Sequence, residues 1–185
     1  SFRVRKDDGN EGAATWWAAL NTDAQPPVGI NFRVRFCIDN AAGTPTGSSG
    51  AFTPQLQYSL NGGAWTNVTG ASSVLRSYAS PNVADNAATT EQLGGPATFV
   101  AGAFEEVDGA LAAITLATTE ETEVEFCVQV QTADVVTGDT IDLRVSDAGV
   151  ALYSYTQTPT LTVSLAEARA AQIPRTAWIL PTTQE

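Results

Sequence analysis

The sequence predicts an all-β protein, a Greek-key/jelly-roll or Ig-like β-sandwich with a short C-terminal helix and an extended tail. Three observations carry that prediction. Phe32 to Asp39, FRVRFCID, alternates strictly, with Phe32, Val34, Phe36 and Ile38 on one face and Arg33, Arg35, Cys37 and Asp39 on the other. Ninety positions on, Val124 to Gln131, VEFCVQVQ, repeats the pattern with Val124, Phe126, Val128 and Val130 inward. About ten short strand-like stretches are punctuated by Gly, Asn and Pro turns, and helical periodicity is almost absent.

Composition narrows the function classes. At 185 residues the chain suits one well-filled domain, placed at 1–163, with the helix and docking tail at 164–185. A net charge of −11 and a pI near 4.2 have the wrong sign for holding phosphates, so no nucleic acid partner is expected. Only Lys6 among the nine cations is a lysine. The absence of histidine removes every Ser/His/Asp or Cys/His arrangement and the commonest metal ligand. The absence of methionine implies an initiator or a leader removed ahead of Ser1, and both fit. No apolar run approaches the roughly 18 residues of a spanning helix, so membrane insertion is not expected.

In order, Ser1 to Lys6 shares its FRVR string with β-forming Phe32 to Arg35 and predicts a first short strand, ended by the turn formers Asp7 to Gly12. Thr15 to Leu20 carries Trp16 and Trp17, which as strand neighbours point to opposite faces. Asn40 to Pro54 is a Gly, Thr, Ser and Pro loop at the tip of the sandwich. Gln55 to Leu60 and Ala64 to Val68 flank Asn61, Gly62 and Gly63, a hairpin in which Trp65 returns opposite Leu56, Tyr58 and Leu60. Val74 to Tyr78 is a further strand and Ala79 to Pro96 a loop. Thr98 to Val100 and Leu111 to Ala117 are strands separated by an acidic tip at Glu105, Glu106 and Asp108. Thr140 to Val145 and Val150 to Tyr155 form a second hairpin around Asp147 and Gly149, and Thr160 to Val163 closes the sheets. Ser164 to Glu167 has capping-box spacing ahead of a helix that Pro174 stops.

Several clusters invite a functional reading. Glu121, Glu123 and Glu125 line one strand face, expected to be a solvated sheet surface balanced by Arg33 and Arg35. A parallel register pairs Arg33 with Glu123, Arg35 with Glu125 and Cys37 with Cys127. An antiparallel register joining the cysteines sets Asp39 against Glu125, although antiparallel pairing is the commoner arrangement. Cys37 and Cys127 are the candidate disulfide, on an outer face, which would contribute about 4 to 5 kcal/mol. Asp7, Asp8, Asn10 and Glu11 offer oxygen ligands suited to calcium without matching the EF-hand spacing, and no other cofactor is indicated. Asn67-Val68-Thr69 is a glycosylation sequon. Nothing in the sequence assembles a catalytic site, and the expectation is that the chain is not an enzyme.

RVRKDDGNEGAATWWAALNTD, then the FRVR strand, SYASPNVADNAATT, the Glu-rich strand and DLRVSDAGVALYSY together resemble a recurrent, uncharacterised extracellular β-sandwich module. That module occurs in bacterial surface proteins and phage structural proteins. Asp7, Asp8, Gly9, Asn10, Glu11, Ala14, Thr15 and Trp16 fit its first signature, with Lys6 where Asn is more usual. Tyr78, Asn82, Ala87, Thr89 and Thr90 fit a later one. The resemblance spans Ser1 to Val163 and implies structure, display or adhesion without an assigned active site. It leads to three expected roles. The first is a virion component, a head decoration or tail accessory protein on the virion surface, with Trp178, Ile179 and Leu180 docking on neighbouring subunits of an oligomeric assembly. The second is a secreted surface or filament subunit that donates Phe2 and Val4 in its first strand, or its tail. The third is a carbohydrate-binding adhesin stacking sugars on Trp16 or Trp17 and on Trp65.

Overall fold

Twelve strands form among residues 1–40 and 50–165, which the computed structural model describes. They are β1 (Phe2–Lys6), β2 (Phe32–Asp39), β3 (Ala51–Phe52), β4 (Pro54–Leu60), β5 (Thr66–Asn67), β6 (Leu75–Ser77), β7 (Thr98–Glu105), β8 (Ile114–Thr115), β9 (Glu120–Val130), β10 (Thr140–Asp147), β11 (Val150–Ala151) and β12 (Thr160–Thr162). One sheet has the order β1-β2-β9-β6, with β7 also on β9; the other has the order β11-β10-β4-β5, with β12 also on β10. β3 and β8 make a separate two-stranded ribbon.

The architecture is the predicted all-β sandwich. Both sheets feed a common core. Phe32, Val34, Phe36 and Ile38 of β2 and Val124, Phe126, Val128 and Val130 of β9 meet Leu56, Tyr58, Ile141, Leu143 and Val145 from the opposite sheet. Phe36 meets Phe126 edge to face at 6.3 Å. Each such side chain contributes about 1.5–3 kcal/mol when fully buried, so the period-2 alternation fixes which face turns inward. The hairpins follow from residues that tolerate positive φ: Asn61 (φ 51) and Gly62 (φ 70) join β4 to β5, and Ala148 (φ 46) and Gly149 (φ 92) join β10 to β11.

Several expectations are corrected. Phe2 and Val4 are 1% and 0% exposed, core residues rather than docking ones. β1 is hydrogen-bonded on both edges, to β2 on one side and to the 15–21 segment on the other, where Trp17 N donates to Val4 O and Asn21 N to Phe2 O. No open edge therefore remains there for strand donation. Leu111 to Ala117 shortens to Ile114–Thr115, while Thr98 to Val100 lengthens through Glu105 and runs parallel to β9. Glu105 is no exposed tip: it is 3% exposed, and its Oε1 accepts hydrogen bonds from the amides of Val107, Asp108 and Gly109. The predicted C-terminal helix and Trp178, Ile179 and Leu180 lie outside the described residues.

β2 and β9 are antiparallel, which overturns the parallel register. Arg35 does face Glu125, but Cys37 faces Glu123 and Cys127 faces Arg33. The cysteines thus sit four register positions apart, about 13 Å at strand rise, and both are free thiols; the candidate disulfide is not formed. Burial, aided by the charge of Glu121, pushes the Cys37 thiol up to about 12. Cys127 is raised too, first by burial and then by the carboxylate of Asp7. Neither presents a thiolate at neutral pH.

Candidate functional site

The site lies on the outer face of the β1-β2-β9 sheet, the surface expected to be solvated. It is dry. Arg5, Arg33, Arg35, Glu121, Glu123 and Glu125 are all 0% exposed. The cause is local pairing. The antiparallel register of β1 and β2 places Arg5 opposite Arg33 and Arg3 opposite Arg35, like charges that repel across a strand pair. β9 then delivers Glu125 beside them, and its carboxylate becomes the shared counter-ion.

Glu125 receives Arg5 in a fork, Nε to Oε1 at 2.9 Å and Nη2 to Oε2 at 2.7 Å. Arg35 Nε donates to the same Oε2 at 2.5 Å. Arg33 Nη1 stands 3.2 Å from Oε1 and its Nε 3.3 Å from Asp7 Oδ1, both outside hydrogen-bond alignment, while Nη2 donates to Gly9 O at 2.6 Å. Arg35 also donates through Nη1 to Glu123 Oε2 at 2.9 Å and pairs through Nη2 with Glu11. Three guanidiniums therefore meet the four carboxylates Asp7, Glu11, Glu123 and Glu125. Planar five-donor forks suit such sharing, which a lysine ammonium cannot reproduce.

Two covers keep water out. The turn following β1 supplies Asp7, Gly9 and Glu11 from above. A strap running from Ser80 to Ala97 crosses the sheet and is held by carboxylates. Gln92 N and Leu93 N donate to Glu123 Oε1 at 2.9 and 2.6 Å, and Gly95 N and Ala97 N donate to Glu121 at 2.9 and 3.1 Å. Thr90 N donates to Glu11, and Gln92 Oε1 accepts from Arg5 Nη1. Ser80 Oγ and Asn82 Nδ2 tie the start of the strap to Asp7. A Cβ on Gly95 would fall 1.7 Å from Glu121 Oε2, so only glycine lets the strap lie this close. Beneath the strap, Val83, Phe104 and Cys127 form a small second core.

Chemically the arrangement is a lock. Every carboxylate in it meets guanidiniums or backbone amides, and Glu123 and Glu125 stand side by side on one strand rather than across a sugar-sized gap. The proposed calcium ligands diverge. Asp7 and Glu11 turn inward to arginines, Asp8 Oδ1 accepts from Thr15 N, and Asn10 Oδ1 accepts from Gly12 N. Among the described residues no group of three or more His, Cys, Asp or Glu is placed to hold a metal ion. The rings of Trp16, Trp17 and Trp65 already carry cations. Arg3 and Arg5 lie 4.5 and 4.9 Å from the Trp16 centroid, Lys6 5.9 Å from Trp17, and Arg144 4.1 Å from Trp65. Asn67 of the sequon hydrogen-bonds Gln57.

No protein-family model, curated protein or solved structure matches the chain. Its own geometry nevertheless unites the strings that carry the resemblance. DDGNEG, both FRVR strands, the Glu-rich strand and SYASPNVADNAATT converge on the lock. The sequence reading missed Gln92, Gly95 and the strap as a whole, because segments without periodicity announce no facing. The available signal was the scarcity of lysine: arginines alternating on a strand, with glutamates alternating on its counterpart, suit a buried pairing.

Acid should loosen the covers. Burial alone would raise Glu11, but the Thr90 amide and the Arg35 guanidinium outweigh it and hold this carboxyl below its usual 4.5. A depressed carboxyl contributes stability above its unfolded value and loses it as pH falls through the folded one. Glu105, raised mainly by burial, has the opposite sign and gains as pH falls. In urea titrations between about pH 3 and 7, Glu11→Gln should be less stable than wild type at neutrality and converge with it in acid. A constant difference across that range would contradict the assignment.

Proposed function

We propose that this protein is a non-enzymatic structural component of a phage virion, a capsid decoration or head/tail accessory protein displayed on the particle surface. The observation that supports this reading most directly is the lock itself. The strings that resemble the extracellular module hold two covers on a sheet through buried ion pairs and carboxylate-to-amide hydrogen bonds. A buried network of this many charge-assisted bonds favours a single persistent shape, which serves a protein exposed on a particle. The docking element is Trp178, Ile179 and Leu180, and its partners are other protein subunits.

The filament alternative loses its first-strand route, because both edges of β1 are already bonded, and rests on the tail. The test deletes Arg175 to Glu185 and follows loading onto purified capsids alongside circular dichroism. Loss of loading with an unchanged fold is expected. A truncated protein that still loads, or a full-length protein absent from particles by immunogold labelling, would overturn the reading.

A further inference from the structure

One of the resembling strings, DLRVSDAGVALYSY, does not reach the lock. It builds the β10–β11 hairpin and the segment after it, where the end of β2 shares a cleft with Arg144 and Val145 of β10. Beside β12, Ala24 pairs with Leu161. Between the end of β2 and the residues following β11 lies a cleft of about 210 Å³. Its lining includes Ile38, Asp39, Arg144, Tyr153, Tyr155 and Gln157.

The walls are held in place before any ligand arrives. Tyr155 Oη donates to Val145 O and accepts from Leu152 N, both at 2.8 Å, which pins the segment to the edge of β10. Arg144 donates through Nε to Gln57 Oε1 at 2.8 Å and lies 4.1 Å from the Trp65 ring and 5.7 Å from that of Tyr155. Held this way, its terminal nitrogens keep a defined direction. Tyr153 is different: it is 77% exposed at the mouth, a large aromatic surface left in water. A flat exposed ring beside a carboxylate, a guanidinium and a planar amide matches a sugar, whose ring has one apolar face and vicinal hydroxyls for paired hydrogen bonds. The volume falls below the roughly 300 Å³ of a drug-sized pocket, which suits a single ring.

We propose that the cleft between the end of β2 and the β10–β11 hairpin binds one hexose unit of a glycan, with Tyr153 as its stacking platform. This goes beyond the virion reading and does not depend on it. It also moves carbohydrate recognition away from Trp16, Trp17 and Trp65, whose faces are taken by cations.

The test uses the full chain with the methyl glycosides of glucose, galactose, mannose and N-acetylglucosamine in saturation-transfer NMR, together with a glycan array. Binding is expected in at least one format. On whichever sugar binds, Tyr153→Ala should weaken affinity by about tenfold without changing the melting temperature, and Gln157→Ala should weaken it as well. Absence of binding in both formats, or binding that Tyr153→Ala leaves intact, would overturn the proposal. Capsid loading of Tyr153→Ala should equal wild type, which keeps failure of the sugar site distinct from failure of the virion reading.

Discussion

Glu125→Gln is expected to destabilise the protein by about 3–5 kcal/mol, a large part of the roughly 5–15 kcal/mol that holds a domain together. The substitution is nearly isosteric, so lost packing does not explain the effect. It removes the charge that Arg5, Arg33 and Arg35 share and points an amide donor at guanidinium donors. Three cations then remain in a dry layer with only Asp7, Glu11 and Glu123 as counter-ions. The measurement is the urea midpoint at constant m-value. The penalty reports the cost of orphaning buried charge rather than the net worth of the pairs. Recovery by apolar replacement would have to remove Asp7, Glu11 and Glu123 along with Arg5, Arg33, Arg35 and Glu125, because replacing the arginines alone would leave those three carboxylates without their cations. A single-variant penalty under about 1 kcal/mol would mean that water reaches the layer and the covers are looser than described.

Gly102→Ala should cost about as much by a different route. Its Cβ would come within 2.2 Å of Glu123 O and 2.7 Å of Thr122 Oγ1. Glu123 O belongs to the middle of β9 and cannot retreat without breaking the strand that carries the lock. The glycine sits where the β7–β9 register shifts, between Ala101 and Phe104, so the close approach accompanies a bulge in a parallel pair. Overpacking of this kind costs typically 1–3 kcal/mol, and here the upper end or more is expected because the neighbour is backbone. Gly62→Ala is the control: nothing lies within 4 Å, and only its positive φ resists, at about 1–2 kcal/mol. Thermal melts compare the two, and hydrogen exchange at β7 amides locates the damage. Equal effects would show that backbone conformation, not contact, governs position 102.

Much of the fold was legible because alternation is a local property. Phe32 to Asp39 and Val124 to Val130 became the central strands with the predicted residues inward, and both Gly hairpins formed where turn residues demanded them. Facing was legible, but covering was not. Arg33, Arg35, Glu123 and Glu125 were correctly placed on the outer face, yet the pattern of a strand cannot say what crosses it from 80 residues away. The strap has no period, so its residues betray themselves only through partners elsewhere, as Gln92 does with Arg5 and Glu123. Register failed for a related reason. Aligning the cysteines allowed only one antiparallel solution, whereas the observed one differs from it by four positions and brings Arg35 to Glu125 directly. The observed pairing puts Arg35 on Glu125 and leaves the sulfurs apart.

The separation along the chain of the lock's members has a kinetic meaning. Arg5 and Glu125 are 120 residues apart and Arg35 and Glu125 are 90 apart, so neither pair can form until most of the described chain exists. Loop closure over such distances costs entropy before any contact returns it, which makes closure of the arginine layer a late event and folding slow. The same geometry works in reverse. Water must enter and several charge-assisted bonds must break together before the strap can leave, so the closed state should be long-lived as well as stable. The unfolding rate, rather than a midpoint, is the quantity this arrangement is built to lower.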